Sequence, residues 1–159
     1  MITLEQLALK VSETLKNSGA RLVTAESCTG GGLSYLITSI AGCSLWFDRG
    51  FVTYSNSAKE TCLGVGKKTL AEFGAVSEET VRAMAEGALR LSEADISIAI
   101  TGIAGPDGGT QEKPVGTVWI ASSRAGRGTR AEKYLFSGDR ASVREQSIRA
   151  ALELILLSC

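Results

Sequence analysis

The stretch RLVTAESCTGGG, residues 21–32, decides the fold. RLVTAE (21–26) reads as a short strand. It is followed by small polar residues, three consecutive glycines, and then Leu33, Leu36, Ile37 and Ile40 at helical spacing, ending at Gly42. A strand, a glycine-rich turn and a helix form the basic unit of an α/β fold. The turn itself has two readings. One is a plain strand-to-helix connection with Ser27 as a cap. The other is a nucleophile, Ser27, held where a helix begins. With the helix starting at Thr29 or Gly30, the backbone amides of Cys28, Thr29, Gly30 and Gly31 are free to hold an oxyanion or a phosphate.

Upstream of this unit, residues 3–18 read as a helix. Leu4, Leu7, Ala8, Val11 and Leu15 share one face, Thr3 and Gln6 form a capping-box pair, and Gly19 ends it. Downstream, WFDRGFVTYS (46–55) carries a strand in its second half, and NSAKETCLG (56–64) is a short helix capped by Asn56 or Ser57. Ser77 caps a helix with Val81, Met84, Ala85, Ala88 and Leu89 on one side. DISIAITGIAG (95–105) is a strand running into glycines. GTVWIASS (116–123) and TRAEKYLF (129–136) are strands separated by RAGRG, so they form an antiparallel hairpin. A last helix begins near Asp139 and buries Ile148, Ala151, Leu152, Ile155 and Leu156. The expected order is α-β-α-β-α-α-β-β-β-α, one domain over 1–159. The fold class is α/β: a three-layer α/β/α sandwich around a mixed, roughly five-stranded sheet.

Composition narrows the chemistry. The chain has 159 residues with 17 Lys plus Arg against 17 Asp plus Glu, so net charge gives no reason to expect nucleic acid or an anionic membrane as partner. No apolar run reaches membrane-spanning length. The N-terminus lacks the basic and apolar regions of a signal peptide. Cys28, Cys43, Cys62 and Cys159 form no CxxC pair, which fits reduced thiols and a cytoplasmic location. There is no histidine. Ser-His-Asp and Cys-His mechanisms within one chain are excluded, as are histidine-based zinc sites; no metal site is expected.

A serine nucleophile therefore needs another base. YSNSAK places Tyr54 and Lys59 across a strand-to-helix junction. A dehydrated lysine becomes a neutral amine able to take the serine proton, and a tyrosine relays or orients that proton. The plain alternative for Lys59 is a solvated helix lysine. Cys28 is the rival nucleophile, but neighbouring Glu26 raises rather than lowers its pKa, which favours a small buried residue. ITGIAGPDGGTQEKPVG (100–116) is a long loop after an apolar strand, where α/β folds place ligands; Thr101, Gly102 and Gly105 would line such a pocket. The alternative is a surface excursion. Arg140 and Arg144 share one helix face near its start, as a phosphate clamp or as a solvated pair.

The segments TAESCTGG, WFDRGFVTYSNSAKE, GAVSEETV, TGIAGPDGGTQEKPVGTVW and FSGDR follow one another as in the CinA C-terminal domain family, which the chain resembles from about residue 4 to residue 157. The resemblance implies a stand-alone amidohydrolase domain that converts nicotinamide mononucleotide and water into nicotinate mononucleotide and ammonia. It implies Ser27 as nucleophile, Tyr54 and Lys59 in the activating group, Thr101 and an arginine of the last helix near the substrate, no cofactor, and homo-oligomers. Two other classes stand beside it: a non-catalytic nucleotide-binding module, and a competence or DNA-damage accessory protein. The zero net charge and the lack of aromatic-basic interleaving argue against direct DNA binding.

Overall fold

The computed structural model describes all of residues 1–159. Its elements are α1 (Leu4–Ser18), β1 (Leu22–Glu26), α2 (Gly32–Thr38), a 3₁₀ turn (Cys43–Leu45), β2 (Phe47–Val52), α3 (Asn56–Leu63), α4 (Lys67–Phe73), α5 (Glu78–Arg90), β3 (Ile96–Gly102), β4 (Thr117–Arg124), β5 (Gly128–Leu135) and α6 (Arg140–Ser158). The strands form one sheet in the order β2-β1-β3-β4-β5. β1 is parallel to both β2 and β3, whereas β4 is antiparallel to both β3 and β5. The mixed sheet expected from the sequence is present.

Strand alternation divides the core in two. Leu22, Ile96, Ile98, Ile100, Val118 and Ile120 face α1, α2 and α6. Val23, Ala25, Ala99 and Ala121 face α3, α4 and α5. The second side is built of smaller residues, which lets α5 lie close. There Ser97 Oγ donates 2.7 Å to the Ala85 carbonyl of α5, which satisfies a buried hydroxyl. The layers are therefore α/β/α. No helix is long and apolar enough to cross a membrane.

α1 has the capping box read from the sequence, and Gly19 closes it in the left-handed conformation at φ 71°. Asp139 is the N-cap of α6. In α6, Ala151, Leu152 and Ile155 are buried, while Ile148 and Leu156 are only partly buried against the core.

Other boundaries differ. β2 begins at Phe47 rather than in the second half of 46–55. The polar run Asp48-Arg49-Gly50 fits there because β2 is an edge strand with exposed positions. Ser55, not Asn56 or Ser57, caps α3, accepting from the Ala58 amide at 3.0 Å. α4 was absent from the expected order. It has seven residues and buries only Leu70, too little for a periodic signal. α2 starts at Gly32 and ends at Thr38, shorter at both ends than the apolar spacing suggests. Gly30 and Gly31 have φ of 58° and 100°, and this left-handed backbone postpones the helix.

One packing contact matters for the site. Gly87 of α5 lies against the end of α3, and a Cβ there would run into the Leu63 carbonyl oxygen. α3 thus sits directly on the α5 backbone. We expect Gly87→Ala to destabilise the fold by about 1–3 kcal/mol, because the clash outweighs the roughly 0.5–1 kcal/mol that alanine gains in a helix. Denaturant unfolding checks this; a more stable variant would mean that α3 can shift freely.

Candidate active site

Ser27 is the first residue beyond β1, and its amide still donates 3.0 Å to the Ile100 carbonyl of β3. The preceding peptide is held from the other side, where the Thr53 amide donates 2.9 Å to the Glu26 carbonyl. Ser27 is buried, and Lys59 of α3 is only 1% exposed. Lys59 Nζ lies 2.9 Å from Ser27 Oγ, 3.0 Å from the Thr53 carbonyl and 3.0 Å from the Tyr54 carbonyl. Burial pushes the Lys59 pKa below the ordinary lysine value. No carboxylate forms an ion pair with it. The two residues joined in the sequence reading are thus in direct contact.

Tyr54 enters this contact differently from the expectation. Its main-chain carbonyl, not its phenol, meets Lys59, and it also lies 3.4 Å from Ser27 Oγ. Tyr54 is exposed, and its hydroxyl accepts from Arg140 Nη2 at 3.1 Å.

The turn after Ser27 is braced by an arginine of α6. Arg144 donates from Nε to the Cys28 carbonyl at 3.1 Å and from Nη2 to the Thr29 carbonyl at 3.2 Å. Arg140 donates from Nη1 to the Gly105 carbonyl at 2.8 Å. Neither arginine is paired with an acid. Arg144 is thus held on the turn after Ser27, and Arg140 on Gly105 and the Tyr54 hydroxyl.

The anion-binding helix start expected from the sequence is altered. Because α2 begins at Gly32, the amides at its start are those of Leu33 and Ser34. Both donate to the Glu26 carboxylate, each at 3.0 Å. The protein's own anion occupies that position. The amides of Cys28, Thr29 and Gly31 have no acceptor in another residue, while Gly30 N donates to the Ser27 carbonyl at 3.0 Å. Any oxyanion donors come from the former three. The sequence did not reveal that Glu26 fills this position. The signal available was the lack of a capping side chain in the glycines before α2.

Thr101 is buried with its hydroxyl donating 2.8 Å to the Ala75 carbonyl, toward the α5 side. A Cβ on Gly102 would lie 2.7 Å from Val118 Cγ2, and Gly105 sits against Val115 with φ 86°. These glycines close the neck of the 103–116 loop, where the Gly116 amide donates to Ile103 and the Ile103 amide to Thr117. No three His, Cys, Asp or Glu side chains converge as a metal ligand set. The largest cleft, about 480 Å³, lies between α4, α5 and β4 and includes no residue that contacts Ser27.

The fold is an open mixed sheet of the α/β class with a buried serine–lysine pair at the end of one strand. The chain belongs to the CinA C-terminal domain family, whose model matches residues 4–159. It is 56% identical over 152 residues to the nicotinamide-nucleotide amidohydrolase PncC of Escherichia coli (strain K12), covering 96% of this chain and 92% of that protein. It is 48% identical to the PncC of Pseudomonas putida over 94% of this chain and 93% of that one. The crystal structure of the competence/damage inducible protein CihA from Agrobacterium tumefaciens superposes with a TM-score of 0.95 at 44% identity, covering 97% and 94% of the two chains.

The thiol next to the serine is not a competing nucleophile. Cys28 is buried, and burial raises its pKa to about 11. It stays protonated at neutral pH. Iodoacetamide at pH 7.5 (about one unit below an ordinary thiol pKa) is expected to alkylate exposed Cys62 and to spare Cys28. Mass mapping of the modified peptides reads this out; alkylation of Cys28 first would reverse the assignment.

Proposed function

We propose that the protein hydrolyses nicotinamide mononucleotide to nicotinate mononucleotide and ammonia, with Ser27 as nucleophile and Lys59 as base. The observation that carries this reading is the 2.9 Å contact between Lys59 Nζ and Ser27 Oγ in a buried site. The names of the full-length relatives supply the substrate.

The surroundings of Lys59 suit a base. A neutral amine has two hydrogens and one lone pair. The Thr53 and Tyr54 carbonyls can take only hydrogens, so they direct the lone pair to Ser27 Oγ. As Oγ bonds to the carboxamide carbon, its proton passes to Nζ. The oxyanion is stabilised by the free amides of the 28–31 turn. The Lys59 ammonium then protonates the departing nitrogen, which leaves as ammonia, and an acyl-Ser27 ester remains. Water, deprotonated by Lys59, attacks that ester. Nicotinate mononucleotide is released and the Ser27 proton restored. Tyr54 contributes its carbonyl to this relay, and its phenol positions Arg140.

Two expectations follow from the base. Lys59→Met lowers the chemical step by about 10²–10⁴-fold, whereas Tyr54→Phe costs about tenfold at most because the carbonyl stays in place. Activity needs neutral Lys59, so kcat/KM rises with pH and levels off above its pKa. Burial lowers that pKa, so the midpoint falls below the ordinary lysine value of roughly 10.4. Rates across pH for wild type and Lys59→Met check both; a limb that survives in Lys59→Met belongs to another group.

The arginines separate two roles. Arg144 braces the turn carbonyls, so Arg144→Ala should slow the mononucleotide and the riboside alike. Arg140 keeps Nε free and contacts only the rim groups Gly105 and Tyr54. Arg140→Ala should weaken kcat/KM for the mononucleotide by about ten- to a hundredfold and narrow its preference over nicotinamide riboside. Equal losses on both substrates would remove Arg140 from phosphate binding.

A further inference from the structure

Glu26 is the one fully buried carboxylate beside the nucleophile, and the steps above do not use it. Its two oxygens accept four hydrogen bonds. Oε1 takes the Thr29 hydroxyl at 2.6 Å and the Leu33 amide at 3.0 Å, and Oε2 takes the Ser34 amide at 3.0 Å and the Ser34 hydroxyl at 2.7 Å. All four donors belong to the turn after Ser27 or to the first residues of α2. We infer that Glu26 is the positioning residue for the nucleophile: its carboxylate locks the 27–31 turn and the start of α2 onto the end of β1. This rests on the reading of Ser27 as nucleophile.

The geometry separates this role from an ordinary helix cap. Glu26 and Ser27 are adjacent, and their side chains point to opposite sides of the sheet, one to α2 and the other to Lys59. The peptide between them is pinned from both neighbouring strands, by the Thr53 amide on the Glu26 carbonyl and by the Ser27 amide on the Ile100 carbonyl. Backbone contacts thus fix where the turn begins. The carboxylate fixes where it ends, and with it the free amides of Cys28, Thr29 and Gly31. The network extends to β1 and β2. Thr24 Oγ1 and Ser34 Oγ lie 2.8 Å apart, and a Cβ on Gly50 of β2 would lie 2.6 Å from the first and 2.8 Å from the second. Gly50 leaves the space that these hydroxyls fill.

The charge of the group also matters. The Leu33 and Ser34 amides are obligate donors, one to each carboxylate oxygen. In Glu26→Gln either orientation of the amide sets an NH₂ against one of them. The buried conflict has no solution within the present turn, so the turn must move.

The test compares wild type, Glu26→Gln, Gly50→Ala and the distant core variant Leu152→Ala. Three quantities are measured: melting temperature, the rate at which a fluorophosphonate probe labels Ser27, and kcat and KM for ammonia release from nicotinamide mononucleotide. Glu26→Gln is expected to lose about tenfold or more in labelling rate per folded molecule, with a matching fall in kcat and KM changed by less than about threefold. Leu152→Ala, destabilised to a similar degree, should label at the wild-type rate. Gly50→Ala, which disturbs Ser34 and Thr24 but keeps the carboxylate, should slow labelling to a lesser extent, and it decides the matter if Glu26→Gln does not fold. Wild-type labelling of a folded Glu26→Gln, wild-type labelling of Gly50→Ala, or equal loss in Leu152→Ala would overturn the inference. So would a wild-type protein whose Ser27 does not react. Labelling without any ammonia release would remove the mononucleotide reading and leave the positioning role standing.

Discussion

The constraint on which the rest of the structure depends is a lysine amine buried against a serine hydroxyl. An uncompensated charge at such a position costs several kcal/mol. Here the cost is limited by three oxygen acceptors and by the lowered pKa of Lys59, which favours the neutral amine. The consequence for stability has a definite sign. Because the folded pKa lies below the unfolded one, the unfolded chain binds more protons between the two values, and stability rises with pH through that window. The lysine also dictates local structure. β2 ends at Val52 so that the Thr53 and Tyr54 carbonyls are free to face Nζ. α3 must reach the same point, and the close approach of Leu63 to Gly87 sets its depth against α5.

The turn beside it is governed by backbone accounting. Every buried amide and carbonyl needs a partner, and a strand-to-helix turn leaves several without one. The protein satisfies selected groups and leaves others open. Glu26 takes the amides at the start of α2, and Arg144 takes the carbonyls of Cys28 and Thr29. What remains is a small set of turn amides without an acceptor in another residue and two arginines of α6 without acidic partners. A helix start that usually favours an anionic ligand is filled from within. The uncompensated positive charge near this turn lies on the α6 arginines, which have no acidic partner.

Much of this was legible in the sequence, for identifiable reasons. The capping box of α1, the Asp139 start of α6 and the β4–β5 hairpin are local signals, and local signals survive folding. Ser27 and Lys59 could be paired because a serine nucleophile in a chain without histidine leaves few bases to choose from. Other features depend on contacts between distant segments. The start of α2 could not be placed because the glycines that precede it accept helical and left-handed backbone alike. α4 has a single buried residue. The capping role of Glu26 spans seven and eight residues to Leu33 and Ser34, beyond any cap motif. The part played by Tyr54 was assigned to its conspicuous phenol, while the atom that meets Lys59 is a carbonyl every residue possesses.

The topology explains why the pair forms at this strand end. β1 sits between β2 and β3, parallel to both. The chain leaves β1 toward β2 by way of α2 on one face, then returns from β2 to β3 through α3, α4 and α5 on the other. Connections that depart in opposite directions open a crevice at the carboxyl ends of the strands, where ligands bind in open α/β sheets. Ser27 is the residue just beyond the carboxyl end of β1. Lys59 arrives from one layer and the α6 arginines from the other. A single-layer fold could not supply both, since a lysine buried as deeply as Lys59 needs a helix packed against the sheet. The arginines come from the start of α6, where Arg140 is exposed and Arg144 partly buried. The three layers bring a buried lysine from α3 and the arginines of α6 to the same end of β1 as Ser27.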